Sequence, residues 1–273
     1  MVRSIGRAAG ASEALVEQRT TFEQTTQNMR TTMKAFLMAL SFGMAVSAVA
    51  QEQNLFNGKD LTGWKGLERL WSVKDGAIQG ETLPDPENPK RGLLKHNSFL
   101  VWTGGEVGDF ELRLKYRFIS NAGNSGIQFR SKHVEDGVDG PIVSGYQADC
   151  DAGNGYTGIN YEERGRGILA KRGSKSVIKA DASDANKAKI EVVGSVGEDA
   201  EIKASIKPTG EWNDYLIIAK GNHIQQFING KQTIDLVDEH EAKAAKSGIL
   251  ALQIHGGPPM AVQYKDIVLK PLK

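Results

Sequence analysis

The stretch FELRLKYRF, Phe110 to Phe118, alternates without an exception. Phe110, Leu112, Leu114, Tyr116 and Phe118 fall on even positions, and Glu111, Arg113, Lys115 and Arg117 on odd ones. Successive side chains of a strand point to opposite faces, so one face is apolar and the other fully charged. A helix would scatter the same apolar residues around its circumference. The segment is therefore read as a half-buried antiparallel strand. Similar runs occupy Ser125 to Arg130, Tyr146 to Asp151, Asn213 to Ala219, His223 to Asn229, Ile249 to His255 and Val262 to Leu269. Asn229 and Gly230 separate QQFI from KQTI and can take the positive φ of a tight hairpin turn. Glu198 to Ile206 and Glu239 to Lys246 each read as a short helix or turn. The loop Thr82 to Arg91 holds three prolines and is expected as an excursion at the rim. Many strands joined by Gly, Asn and Asp turns predict an all-β sandwich of two packed antiparallel sheets.

The strand patterns begin after residue 51, and no repeat or composition break follows, so residues 51–273 are read as one domain. The sequence before them is of a different kind. MKAFLMALSFGMAVSAVA, residues 33–50, has a lysine, an apolar run and then Ala48, Val49 and Ala50 in a small-x-small order. It reads as a secretory signal peptide cut near Ala50, which places the mature chain in the periplasm or outside the cell. Residues 1–32 read as a start assigned too early or an extended n-region. The apolar run is too short for a membrane span. A formal net charge of +1 argues against nucleic acid or an anionic membrane as partner and favours a neutral substrate. Cys150 is the only cysteine, so no intramolecular disulfide is possible, and its parity places it in the core.

The usual catalytic signatures are missing: no Gly-x-Ser-x-Gly elbow, no Walker loop, no dinucleotide glycine fingerprint, no His-Glu-x-x-His. Asp149, Asp151 and Gly153 match the opening of a calcium loop, but Asn160 stands where a bidentate glutamate should close it. What remains is a set of polar residues on strands. In GYQADCD, Gln147, Asp149 and Asp151 share the face opposite Tyr146, Ala148 and Cys150; Tyr161, Glu163 and Arg164 follow in the next polar segment. In NSGIQFR, Gln128 and Arg130 oppose Ile127 and Phe129, with Asn124 and Ser125 just before them; Gln253 and His255 come from LQIHGG. Such a set is either a solvated outer face or, if one sheet is concave, the paving of a site for a hydroxyl-rich ligand. Each sugar hydroxyl donates and accepts, so amides, carboxylates, guanidinium and phenol suit it. Of the four tryptophans, Trp102 at a strand end is the candidate for the mouth of such a site.

LFNGKDLTGW (55–64), WSVKDGAIQGE (71–81), FLVWTGGEVGDFELRLKYR through GNSGIQFRS, GYQAD with YEERGRG, GEWNDYLIIAKGNHIQQFING, and SGILALQIHGGPPM with YKDIVLK together resemble the 3-keto-disaccharide hydrolase domain family, in order over residues 53–271. The resemblance implies a concanavalin-like jelly roll with a carbohydrate site on its concave face, acting on glycosides oxidised at carbon 3. A ketone there acidifies the carbon 2 proton, so the glycosidic oxygen can leave by β-elimination and water can then add back. That route needs a base, a partner for the enolate oxygen and an acid for the leaving oxygen, not the paired carboxylates of ordinary glycosidases. On this reading Asp149 or Glu163 is the base, His255 the base or acid alternative, and Arg130 the partner of the enolate. Asn124, Gln128, Gln147, Tyr161, Arg164, Gln253 and Trp102 would contact the sugar. No cofactor is implied, and a divalent metal is left open because ligands from separate strands leave no spacing signal. The competing reading is a lectin-like carbohydrate-binding module on the same face; a structural or adhesive surface protein is the third.

Overall fold

The computed structural model describes residues 51–272 together with Gln24, Gln27 and Met29. Contacts divide the chain into two units between Val49 and Ala50. The leader read from residues 33–50 lies outside the described residues. From residue 51 on, the chain is a sandwich of two sheets with one short helix, Asp199–Ala204.

The seven-stranded sheet runs in the order β10 (Gly167–Ala170), β9 (Asn160–Glu163), β8 (Gly140–Asp151), β7 (Asn124–Gly137), β16 (Ile249–Ile254), β5 (Ser98–Trp102), β2 (Trp64–Lys65). The ten-stranded sheet runs β12 (Ala188–Ser195), β11 (Ser174–Ala180), β15 (Lys231–Asp238), β14 (His223–Ile228), β13 (Asn213–Lys220), β6 (Phe110–Phe118), β17 (Met260–Pro271), β4 (Ala77–Thr82), β3 (Trp71–Lys74), with β1 (Gln53–Asn54) on β17. Every pairing is antiparallel except β11 with β15. This is the predicted all-β jelly-roll class.

The alternation that defines β6 sets the core. Its five even residues are all buried, and Phe110 meets Phe129 of the facing sheet edge to face at 6.0 Å. Phe129 in turn stacks on Tyr146 at 5.6 Å, with Ala148 and Cys150 continuing the inner face of β8. Each such side chain removed from water contributes roughly 1.5–3 kcal/mol, and that burial holds the two sheets together. Asn229 and Gly230 have φ of 49° and 82°, and Ile228 pairs directly with Lys231, so the predicted two-residue hairpin turn is present. Glu198 to Ile206 supplies the short helix, whereas Glu239 to Lys246 forms turns.

One feature of the seven-stranded sheet positions everything that follows. Arg130, at φ 47°, and Gly145, at φ 141°, interrupt the β7–β8 ladder, whose register slips between Phe129 and Lys132. Opposed irregularities of this kind bend a hairpin and sharpen its twist. Beyond them, residues 131–144 form an arm that folds over the outer face of the sheet. Val143 in the arm packs on Phe99 of β5 and Ala251 of β16, all three buried. The arm's tip is fastened at Asp139, which accepts the backbone N–H of Lys95 at 2.6 Å and the guanidinium of Arg69 at 2.6 Å. Gly145 is required here: a Cβ would lie 2.6 Å from the Cα of Ser131.

Candidate functional site

Along β8 the arm comes first, then Gln147, Asp149 and Asp151, then a loop, 152–158, that leads to β9. Above this line lies a cleft of about 610 Å³, a size that suits a ligand of one or two sugar units. Gln147, Asp149 and Glu163 form its floor. Asn97, Gly123, Asn124 and His255 border it, and Tyr156, Tyr161 and Ile168 also line it, with Asp151 at the loop end.

Two glycines let long side chains lie across neighbouring strands. A Cβ on Gly126 of β7 would sit 2.6 Å from Cγ of Gln147, so its absence allows Gln147 to reach over β7. There the Oε1 of Gln147 accepts from Gln253 of β16 at 2.8 Å. Glu163 is paired with Gly145, and from that position one carboxylate oxygen accepts from Gln253 Nε2 at 3.1 Å and the other from Asn97 Nδ2 at 3.1 Å. Gln128 also donates to Gln147 and is itself held by Ser131 at 2.8 Å; Gln147 donates to Asp149. Four amides therefore tie two carboxyl groups from separate strands into one network.

Burial sets the charge of the two acids. It pushes Asp149 up to about 8; the Gln147 hydrogen bond opposes this, and the nearby Glu163 and Asp151 charges add to it. Asp149 is therefore a proton-bearing acid at neutral pH. Burial also raises Glu163, against the hydrogen bond from Asn97, the charge of His255 and the hydrogen bond from Gln253. The ring of His255 stands exposed at the rim, with Nδ1 2.6 Å from the Gly256 carbonyl. A carbonyl only accepts, so Nδ1 carries a hydrogen, and in the neutral ring Nε2 is the nitrogen that has the lone pair. Tyr161 is raised by burial and by the Glu163 and Asp149 charges, so its phenol stays protonated.

Of the residues expected from the sequence, Asn124, Gln147, Asp149, Tyr161, Glu163 and His255 line the cleft together. Gln128 and Gln253 lie fully buried in the network beneath it. Three are placed elsewhere. The positive φ of Arg130 breaks the alternation, so Ser131 joins Gln128 instead, and the Arg130 side chain turns inside. There it donates to the carbonyls of Gly108 (2.9 Å), Gly221 (2.6 Å) and Ala245 (3.3 Å) and to Asp109 (2.8 Å). Arg164, at φ 54° on the β9–β10 turn, lines a second, basic cleft with Lys132, Lys187 and Lys243. Trp102 is a buried core residue whose ring covers Gly104, where a Cβ would be 2.0 Å away.

Asn97, Tyr156 and Ile168 were not foreseen. Asn97 reaches Glu163 across 66 residues of sequence, and no local pattern marks such a contact. Asp151 accepts the backbone N–H groups of Tyr156 (2.7 Å), Thr157 (2.9 Å) and Gly155 (3.1 Å), while Asn160 is buried and accepts from Gln226 at 2.8 Å. Among the described residues no three His, Cys, Asp or Glu side chains gather as metal ligands.

Comparison with known families places a 3-keto-alpha-glucoside-1,2-lyase-like domain over residues 51–270. The chain belongs to this family. The 3-keto-alpha-glucoside-1,2-lyase-like domain thus spans both sheets and every cleft residue named above. Among solved structures, one described as a glycosyl hydrolase from Parabacteroides distasonis ATCC 8503 matches with 18% identity and a TM-score of 0.50, covering 81% of this chain and 100% of that one. A second of the same description and source has 21% identity and a TM-score of 0.48, over 81% and 94% of the two chains. The carbohydrate-binding module CBM66 from Bacillus subtilis has 13% identity and a TM-score of 0.44, over 76% and 95%. A search of curated proteins returns no match. The first of these likenesses supports the sandwich fold of the lyase-like domain. No helix among the described residues is long and apolar enough to cross a membrane.

Proposed function

We propose that this protein cleaves glycosides whose sugar carries a ketone at carbon 3, by elimination followed by hydration. The observation that carries the reading is the convergence of three proton-handling groups, Asp149, Glu163 and His255, on one cleft with an amide floor. His255, in its neutral form, takes the proton from carbon 2 on Nε2, and the electron pair is held as an enolate on the carbon 3 oxygen. The protonated phenol of Tyr161 donates to that oxygen, the role the sequence reading had given to Arg130. As the enolate re-forms the ketone, carbon 1 and carbon 2 become doubly bonded and the bond from carbon 1 to the glycosidic oxygen breaks. Asp149 gives its proton to the departing oxygen. A protonated carboxylic acid in a desolvated site is a known device for such donation. Glu163, held by Asn97 and Gln253, supplies the negative charge that stabilises the imidazolium formed in between. Water then adds across the double bond, hydroxyl to carbon 1 and proton to carbon 2. Asn124 and Gln147 orient sugar hydroxyls.

The leader read from residues 33–50 adds that this chemistry takes place in the periplasm or outside the cell, carried by the single domain 51–273. The test is aglycone release from a 3-keto-glucoside and from the parent glucoside by the full-length protein. Release from the keto sugar alone is expected. Release from the parent glucoside as readily would overturn the elimination route. Binding of either sugar without release from either would leave a carbohydrate-binding module.

A further inference from the structure

The loop 152–158 is fastened from both sides. The Asp151 carboxylate holds three of its backbone N–H groups, as described, and Arg172, whose side chain is 6% exposed, donates to the carbonyls of Asn154 (3.1 Å) and Thr157 (2.6 Å). Two charged side chains thus immobilise a loop whose large apolar member, Tyr156, is left 55% exposed at the edge of the cleft. Ile168, 36% exposed, also lines the cleft and is paired with Tyr161, which is paired in turn with Gln147. Partners across a ladder share a face, so Gln147, Tyr161 and Ile168 form a row across the outer face of the sheet. The cleft thus has apolar lining at Tyr156, Tyr161 and Ile168, and polar lining at Asn97, Asn124 and His255. The arm packs on the sheet at the other end of β8, so the exposed Tyr156 lies at the end away from it.

From this arrangement we infer that Tyr156 and Ile168 form the subsite for the group attached to carbon 1, and that they select glycosides in which that group has a flat face of aromatic or C–H carbon. The inference rests on the sugar-site reading above and adds its specificity. A rigid tyrosine offers a large contact area with little entropy left to lose, because its loop is already ordered before the ligand arrives. Both an aryl ring and the C–H face of a second sugar fit this chemistry.

Calorimetric titration of the full-length protein with methyl, phenyl and disaccharide glucosides reads the subsite without requiring turnover. Phenyl glucoside or the disaccharide is expected to bind about three- to tenfold more tightly than methyl glucoside, the yield of one aromatic contact. Tyr156→Ala should bring that ratio close to one, and Tyr156→Phe should keep it. Loss of the preference for phenyl glucoside alone identifies an aryl group as the natural occupant; loss for the disaccharide alone identifies a second sugar. Equal affinities in the wild type, or a ratio that survives Tyr156→Ala, would overturn the inference. If the ratio behaves as expected while 3-keto-glucosides are not cleaved, the elimination reading fails and the subsite stands.

Discussion

Asp149 keeps its proton because β8 holds it inside the sheet network, and that has a thermodynamic sign. Its carboxyl binds a proton up to about pH 8 in the folded chain, whereas in the unfolded chain it releases it near 4. Between those values the folded state holds more protons, so this group's contribution to stability falls as pH rises from about 4 to about 8 and is constant above. Asp149→Asn keeps the acceptor for Gln147 and removes the cost of the trapped acid. Thermal melts should therefore show the variant stabilised at pH 8, by at least about 1 kcal/mol or 2–4 °C, and little changed at pH 4. The same variant should lose about 10²- to 10⁴-fold in kcat on a 3-keto-glucoside, as should Glu163→Gln. In the wild type, kcat should fall as pH rises through about 8, where the acid is lost. Arg130 makes the opposite case. Arg130→Met strands three carbonyls and Asp109, and chemical denaturation should show a loss of about 3–5 kcal/mol, with kcat per folded molecule retained. Strand parity was enough to group Gln147 with Asp149 and to set Cys150 on the other side. It misplaced Arg130 because one positive φ, which a non-glycine residue rarely adopts, resets the alternation and leaves no mark in the sequence.

At the scale of elements, β6 and the Asn229–Gly230 hairpin were legible because each is a local pattern: strict alternation in one, positive-φ residues between apolar runs in the other. The arm was not, since it depends on two irregularities in different strands that meet only in the fold. Asn97 belongs to the same class, being brought to Glu163 by the arm-side loop and not by any spacing. The glycines of β7 and β8 divide the labour, and their variants should separate accordingly. Gly126→Ala forces a Cβ into the Gln147 side chain; it should keep its fold by circular dichroism while kcat falls at least about tenfold, since a displacement of about 1 Å is costly to a positioned group. Gly145→Ala meets the backbone of Ser131 and an unfavourable φ, and should be destabilised by about 1–3 kcal/mol on urea unfolding.

For the whole molecule, the core cluster of the sandwich, among the described residues, draws its buried members from Leu55 onwards. If residues 51–273 fold as one domain, as proposed, a protein beginning at Gln51 should melt at the same temperature as the full chain by calorimetry, and a shift of more than a few degrees would show that the earlier segment contributes. The arm carries a consequence for the order of events in turnover. The arm packs Val143 over Phe99 of β5 and Ala251 of β16, at the end of β8 away from Tyr156, so on the proposed route the sugar and the group it carries would enter and leave past Tyr156. On the proposed route the departing alcohol, held beside Tyr156, would go first, and the incoming water would take the place it vacates. A small alcohol added to the medium would compete for that vacancy, so the protein should transfer the oxidised sugar to methanol as well as to water, with the unsaturated ketone waiting inside for whichever arrives.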